Sequence, residues 1–366
     1  MCANVVFALS LSRYVPFVSA LGVSSLLYFV TLRRFIAQMR DKPRARWVTL
    51  WFDQPLFVHF GASTFSLVFS PVAGVLALAL LAGRGLTGRG AFDDWRLLES
   101  YAYALGVLLS VWAIWIERRF VRIRRMEIAI ADLPPEFDGY RIAQLSDLHV
   151  GSFDPKSRAL EWVALSNALE PDLVTVTGDL VTSGSGFYRD VAEALSGLRG
   201  KDGVFVSMGN HDLWNNDELT RLVTERGPTV LRNASHIIRR GEACLNVAGA
   251  DGRIATGPQF VGSLAECAAG VPVILLAHYP WVFDSAVAAG VDLILTGHTH
   301  GGQLGVPFFG ERFNLARLTG QRSRGLVRSG KTSMYVNAGL GTTGPPMRLA
   351  VPPEIALITL RRAEKG

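Results

Sequence analysis

The stretch Arg141-Ile142-Ala143-Gln144-Leu145-Ser146-Asp147-Leu148-His149 runs from a short, mostly apolar segment directly into two groups able to ligate a cation. The same arrangement returns four more times. Leu173–Thr177 leads into Gly178-Asp179-Leu180, and Val204–Met208 into Gly209-Asn210-His211-Asp212. Val273–Ala277 ends on His278, and Leu293–Thr296 on Gly297-His298-Thr299-His300-Gly301-Gly302. Short apolar, β-branched runs closed by glycine and polar turns predict strands. Met334–Asn337 and Ile355–Leu360 add two more. Between them lie amphipathic segments of helical period, such as Arg158–Leu169, preceded by the cap and first-turn pair Asp154-Pro155, and Arg189–Leu198. The alternation predicts an α/β layered domain in which helices cover sheets.

Strands of one sheet present their ends along a common edge, so the groups just beyond them converge. Five of the seven histidines of the chain lie at these ends. Taken singly, Asp-x-His, Gly-Asn-His-Asp or His-x-His is more often an ordinary turn or a hydrogen-bonded pair than a site. Taken together, Asp147, His149, Asp179, Asn210, His278, His298 and His300 are seven imidazole, carboxylate and amide donors with no thiolate, a set suited to hard or borderline cations. One tetrahedral ion takes about four ligands. Seven therefore point to two ions, and a carboxylate shared between them would give each ion four protein contacts.

The motifs SDLH, GDL, GNHD, AH and GHTHGGQ, in this order, resemble those of the calcineurin-like metallophosphoesterase family over about residues 138–362. The closing stretch VNAGLGTTGPPMRLAVPPEIALITL (336–360) is similar to the membrane-associated branch of that family, some members of which hydrolyse UDP-2,3-diacylglucosamine in lipid A synthesis. The resemblance implies a four-layer αββα sandwich with metals at the strand ends. Carried over motif by motif, it implies Asp147, His149 and His300 around one ion and Asn210, His278 and His298 around a second, with Asp179 bridging. It also implies that His211 acts as leaving-group acid or transition-state stabiliser. Where many members read Gly-Asp-x-x-Asp, this chain has Thr182 in the fifth position. Manganese, iron and zinc all suit the donor set, with manganese favoured. Arg348 is a candidate for bidentate contact with the substrate phosphate, a surface role being the alternative.

The preceding third of the chain is different chemistry. The protein has 366 residues, 49% hydrophobic and 19% charged, with a net charge of +6. Residues 1–126 carry 15 Lys+Arg against 6 Asp+Glu, whereas residues 127–366 carry 22 against 25. Uncharged runs occupy 14–32, 54–83 and 100–116. A helix crosses the hydrocarbon core in about 20 residues, with a range near 17–25, so three spans are predicted near 14–32, 56–82 and 98–116. The chain thus reads as an anchor (1–126) followed by a phosphoesterase domain (127–366). Arg33, Arg34, Arg40, Lys42, Arg44 and Arg46 fill the first loop, Arg84, Arg89 and Arg96 the second, and five arginines from Arg118 to Arg125 follow the third span. The positive-inside rule then places the catalytic domain on the cytoplasmic side of the cell (inner) membrane. The Arg118–Arg125 run reads as a stop-transfer flank.

Three cysteines at wide spacing exclude a disulfide scaffold. A net negative second half argues against a nuclease, because binding a phosphate backbone calls for a basic surface. His59 reads as an interfacial or helix-packing residue, His236 as a solvated loop residue, and Trp47, Trp51, Trp95, Trp112 and Trp115 as membrane-interface or packing residues. The expected function is a membrane-anchored dimetal hydrolase of a phosphodiester or pyrophosphate, its substrate lipid-linked, such as UDP-2,3-diacylglucosamine. Soluble nucleotides or other small phosphoesters are the alternative substrates. An inactive scaffold on the same fold, and a transporter regulated by the domain, are the readings from other classes.

Overall fold

The computed structural model describes residues 1–38, 42–83, 91–251, 262–306, 313–318 and 322–363. Arg40, Arg84 and Arg89, counted above for sidedness, lie outside the described residues. The chain divides into two compact units. One comprises Met1–Gln38, Arg44–Glu117 and the short stretch Gly344–Met347, and the other is essentially Arg118–Thr343 with Arg348–Gly366.

Among the described residues of the first unit three helices are long and apolar enough to cross a membrane: Phe17–Gln38, Arg46–Gly83 and Phe92–Arg119. They cover the three uncharged runs except for residues 14–16, which precede the first of them. A shorter apolar helix, Cys2–Leu11, precedes them and was not expected from the sequence. His59 accepts its packing role, with Nδ1 2.9 Å from the Tyr103 hydroxyl and its ring edge-on to Phe7. The structure adds an ionisable group just ahead of the third uncharged run. Glu99 is fully buried and accepts a hydrogen bond of 2.8 Å from Ser66. The second and third long helices approach so closely that a Cβ on Gly106 would lie 2.8 Å from the Ala62 carbonyl oxygen, the small-residue contact that lets membrane helices pack.

The second unit is an α-β-β-α sandwich. Its strands are β1 (Arg122–Ile130), β2 (Arg141–Leu145), β3 (Leu173–Thr177), β4 (Val204–Ser207), β5 (Thr229–Val230), β6 (Ala234–Arg240), β7 (Ala243–Ala250), β8 (Val273–Ala277), β9 (Leu293–Thr296), β10 (Gly325–Ser329), β11 (Thr332–Val336) and β12 (Glu354–Arg362). They form two mixed sheets, ordered β1-β12-β2-β3-β4-β5 and β10-β11-β9-β8-β7-β6. Alternation along each central strand builds the layers. Ile142 of β2, Ile274 and Leu276 of β8, and Leu293 and Leu295 of β9 pack between the sheets. Their neighbours face outward. Ala143 and Leu145 meet Trp162 and Val163 of helix Lys156–Asn167, and Leu275 and Ile294 meet Phe283 and Ala286 of helix Phe283–Ala288. Strands β2, β3 and β4 are mutually parallel, as are β8 and β9. Parallel strands covered on both faces are continuous apolar runs, which is why these were legible.

The edges were not. Strand β1 carries Arg122, Arg124 and Arg125, the very residues read as a stop-transfer flank, and pairs with β12 in parallel. Charges on a sheet edge discourage pairing with other chains, and they also hide the strand from a hydropathy reading. Arg118, the first of that run, is buried and bonds to the Phe153 carbonyl and to Asp154 at 3.2 Å. His236 stands on β6, its ring 5.0 Å from that of Phe205, and is not a loop residue.

Candidate metal centre

Each predicted donor sits directly after the carboxyl end of a parallel strand: Asp147 and His149 after β2, Asp179 after β3, Asn210 and His211 after β4, His278 after β8, and His298 and His300 after β9. The backbone there is strained. Among the described residues ten non-glycine positions have φ between +46° and +69°, and Asp147, His149, Asp179, His298 and His300 are five of them. L-residues avoid this region, so such strain persists only where surrounding contacts over-determine it, and it clusters at functional sites.

The side chains converge. One oxygen or nitrogen each from Asp147, His149, Asp179 and His300 lie within 4.8 Å of one another, as do those from Asp179, His278 and His298. Asp179 belongs to both groups. Its Oδ2 is 3.5 Å from His149 Nε2 and 3.2 Å from His278 Nε2. His149 Nε2 faces His300 Nε2 at 3.0 Å, and His300 Nε2 is 3.4 Å from Asp147 Oδ1. His298 Nδ1 lies 3.2 Å from His278 Nε2. Donor atoms spaced in this way suit a common cation bonded at about 2.0–2.2 Å. Two buried imidazole nitrogens turned toward each other, both offering lone pairs, would be costly if nothing lay between them. Asn210 Oδ1 is a buried acceptor with no hydrogen-bond partner, as a metal-facing amide oxygen would be. The residues therefore fit divalent ions.

Electrostatics agrees with that fit. Burial lowers His149 to about 3 and His298 to about 4, and takes His300 well below its ordinary value, so these imidazoles are neutral and offer lone pairs. Burial raises Asp147 to about 6. At Asp179 burial pushes upward too, but the charged His278 ring, as neighbour and hydrogen-bond partner, outweighs it and holds the carboxyl well below its usual range. His278 responds in the opposite sense. Burial disfavours its charge, yet the Asp179 carboxylate raises it to about 10. A cation entering this cluster must displace the His278 proton, so uptake weakens as the pH falls.

Supporting contacts orient the donors. His278 Nδ1 donates to the Thr177 carbonyl at 2.9 Å, leaving Nε2 toward the cluster. Asp147 accepts from the Ser146 hydroxyl at 2.6 Å and from the His298 backbone N–H at 3.1 Å. Two supports were missed in the sequence. Asp212 Oδ1 accepts from the Leu180 N–H at 2.8 Å, and Oδ2 from the Gly209 N–H at 2.8 Å, tying the loops after β3 and β4 together. Thr182, at the position where the family pattern is broken, donates its hydroxyl to the His149 carbonyl at 2.7 Å and accepts His211 Nδ1 on its own carbonyl. The spacing of Asp212 and Thr182 to the donors was visible, but nothing local marks which backbone groups they reach. An aromatic shelf also escaped notice: Tyr279 and Trp281 stack at 4.2 Å, and Trp281 lies edge-on to His298 at 5.0 Å.

Arg348 is placed differently from the expectation. It is fully buried, donating to the carbonyls of Gly341, Ala338 and Val351 at 2.7–3.3 Å, with one nitrogen 3.5 Å from His300 Nδ1. A guanidinium spent on backbone carbonyls pins the 338–351 loop and has no open fork for a phosphate.

Space around the cluster is tight. A Cβ on Gly209 would fall onto the Asp179 carboxylate and backbone nitrogen. Gly209→Ala is therefore expected to displace Asp179, lowering bound metal by at least one equivalent in elemental analysis of the purified protein. Unchanged metal content would show that the loop after β4 relaxes freely.

Comparison with known proteins defines the class. Residues 140–302 match the calcineurin-like phosphoesterase family. The chain is 31% identical over 330 residues to a zebrafish (Danio rerio) transmembrane protein with metallophosphoesterase domain, covering 86% of this chain and 74% of that one. It is 29% identical to the metallophosphoesterase YkuE of Bacillus subtilis over 68% of this chain and 89% of the other. It is 31% identical to the phosphodiesterase YaeI of Escherichia coli over 60% and 82%. The chain belongs to the calcineurin-like phosphoesterase family and is a metal-dependent phosphoester hydrolase.

Proposed function

We propose that the protein is a membrane-embedded dimetal phosphodiesterase. Asp147, His149 and His300 would hold one divalent ion, Asn210, His278 and His298 the other, and Asp179 would serve both. The observation that carries this reading is the membership of Asp179 in both donor groups. When bound, two such ions acidify a water and clamp the phosphoryl oxygens. The chain's own residues do the rest. His211 donates Nδ1–H to the Thr182 carbonyl, so Nε2 is the end turned to a departing oxygen, to which it delivers a proton. The His211 ring stands edge-on to His149 at 4.7 Å, beside the metal ligands without joining them. Backbone donors from Leu180 and Gly209 keep Asp212 in place, and with it the two loops that carry Asp179 and Asn210.

The three long apolar helices and the arginine-rich first loop support a multi-pass protein of the cell (inner) membrane with the catalytic unit on the cytoplasmic side. An anchored hydrolase works where lipid-linked substrates reside, so the substrate is a phosphodiester or pyrophosphate at the bilayer surface, with a lipid-linked nucleotide such as UDP-2,3-diacylglucosamine as the leading candidate. Manganese fits the oxygen-and-nitrogen donor set.

The test uses the full chain in detergent-lipid micelles, stripped with chelator and reloaded with manganese, zinc or iron. Manganese-dependent turnover of the UDP-linked diacyl sugar above that of a soluble chromogenic diester is expected. Equal turnover of soluble and micelle-presented substrates would overturn the lipid assignment and leave the dimetal chemistry. Turnover that survives chelation would overturn both. Chelation is also expected to lower the thermal midpoint of unfolding, because ions that bind only the folded state stabilise it.

A further inference from the structure

The first unit contains a cavity of about 790 Å³ that the phosphoesterase reading does not use. We propose that it holds the headgroup of a phosphate-bearing anionic lipid, gripped by Arg33, Arg34 and Arg44 and flanked by Trp47 and Trp51. The inference does not rest on the metal chemistry of the second unit.

The position follows from the chain. The first uncharged run ends at Leu32, Arg33 and Arg34 come next, and the second begins at Gln54 after Asp53. The cavity is lined by the residues at these two boundaries, the level at which headgroup phosphates lie when the apolar runs fill the hydrocarbon core. Its charge is unbalanced. Arg34 and Asp53 form a buried pair at 3.0 Å, each side chain 5% exposed, and Arg44 reaches the same carboxylate at 3.4 Å. Three arginines and one acid thus line the cavity. Arg33 is exposed and has no ion-pair partner among the described residues. A phosphate is the natural complement, because guanidinium forks bind it bidentately.

The remaining walls select a lipid over a free anion. Leu27, Val30 and Leu56 supply apolar surface for acyl chains. Trp47 and Trp51 are one helical turn apart and are 60% and 76% exposed, as interface aromatics are. Asp53 plays another part. Its carboxylate holds Arg34 and Arg44 in place, so the lipid meets positioned donors and not mobile ones.

Quenching of tryptophan fluorescence by brominated acyl chains tests the proposal on the full-length protein in neutral detergent. Brominated phosphatidylglycerol is expected to quench at a mole fraction at least about tenfold lower than brominated phosphatidylcholine, each arginine contact contributing about fivefold. Trp47→Phe with Trp51→Phe should remove the part of the quenching that distinguishes the two lipids, leaving the equal quenching of the other membrane-facing tryptophans. Arg33→Gln with Arg44→Gln, at partly or fully exposed positions, should erase the preference while leaving the far-UV unfolding midpoint unchanged. Should that double variant misfold, the comparison of the two lipids on the unaltered protein decides alone. Equal quenching by both lipids, or a preference indifferent to the two arginines, overturns the proposal. Displacement of phosphatidylglycerol by millimolar inorganic phosphate overturns it as well, since the site would then be one for free anions.

Discussion

Asp179→Asn is expected to lower kcat/KM on any accepted phosphodiester by roughly 10³-fold or more, the scale of losing a principal electrostatic stabiliser. The size follows from geometry. Asp179 Oδ2 lies within 3.5 Å of both His149 and His278, one from each donor group, while Oδ1 accepts the His211 N–H at 2.9 Å. An amide in its place would remove the negative charge facing both donor groups and turn a hydrogen-bond donor toward them. Bound metal should fall below one equivalent, measured by elemental analysis, with the fold retained by circular dichroism. Retention of two equivalents with undiminished turnover would refute the reading of Asp179 as a shared ligand.

His211→Ala is the second large effect and separates acid catalysis from metal binding. A positioned proton donor contributes about 10²–10⁴-fold, so kcat on a substrate with an alkoxide or phosphate leaving group should fall by that order. Metal content should stay as in the unaltered protein, because His211 Nδ1 is bonded to the Thr182 carbonyl and only its backbone N–H touches Asp179. On a nitrophenyl ester, whose leaving group departs without a proton, the loss should shrink. A uniform loss across both leaving groups would mean that His211 stabilises the charged transition state and is not the acid. Loss of metal would mean that it positions a ligand.

The sandwich was legible because its central strands, covered on both faces, are short apolar runs that stop at glycine or at a polar donor residue. Leu173–Thr177, Val273–Ala277 and Leu293–Thr296 were read with their observed limits. Elements that face water on one side or carry charges were not. Strand β1 looked like a membrane flank, and the β6–β7 hairpin like a loop with a stray histidine. The edge strand β1 is held by pairing with β12 near the other end of the chain, and that partner is invisible locally.

The candidate site divides along the same line. Donor types and their order along the chain are local facts, and Asp147, His149, Asp179, His278, His298 and His300 could be named from strand-end motifs alone. So could the three long apolar helices, since crossing a bilayer demands only length and an absence of charge. What tertiary structure decided is everything that depends on distance between residues far apart in sequence. It brought His300 to 3.4 Å from Asp147 across 153 positions, put Asp179 in both donor groups, and gave His211 a carbonyl from Thr182. It also buried Arg348 on the Ala338 and Gly341 carbonyls, where phosphate contact or a surface position was expected, and Glu99 against Ser66 between two apolar helices. Composition and period constrain which face of an element is buried. A buried polar group takes whichever partner the packing of separate elements supplies, so its role exists only once those elements have met.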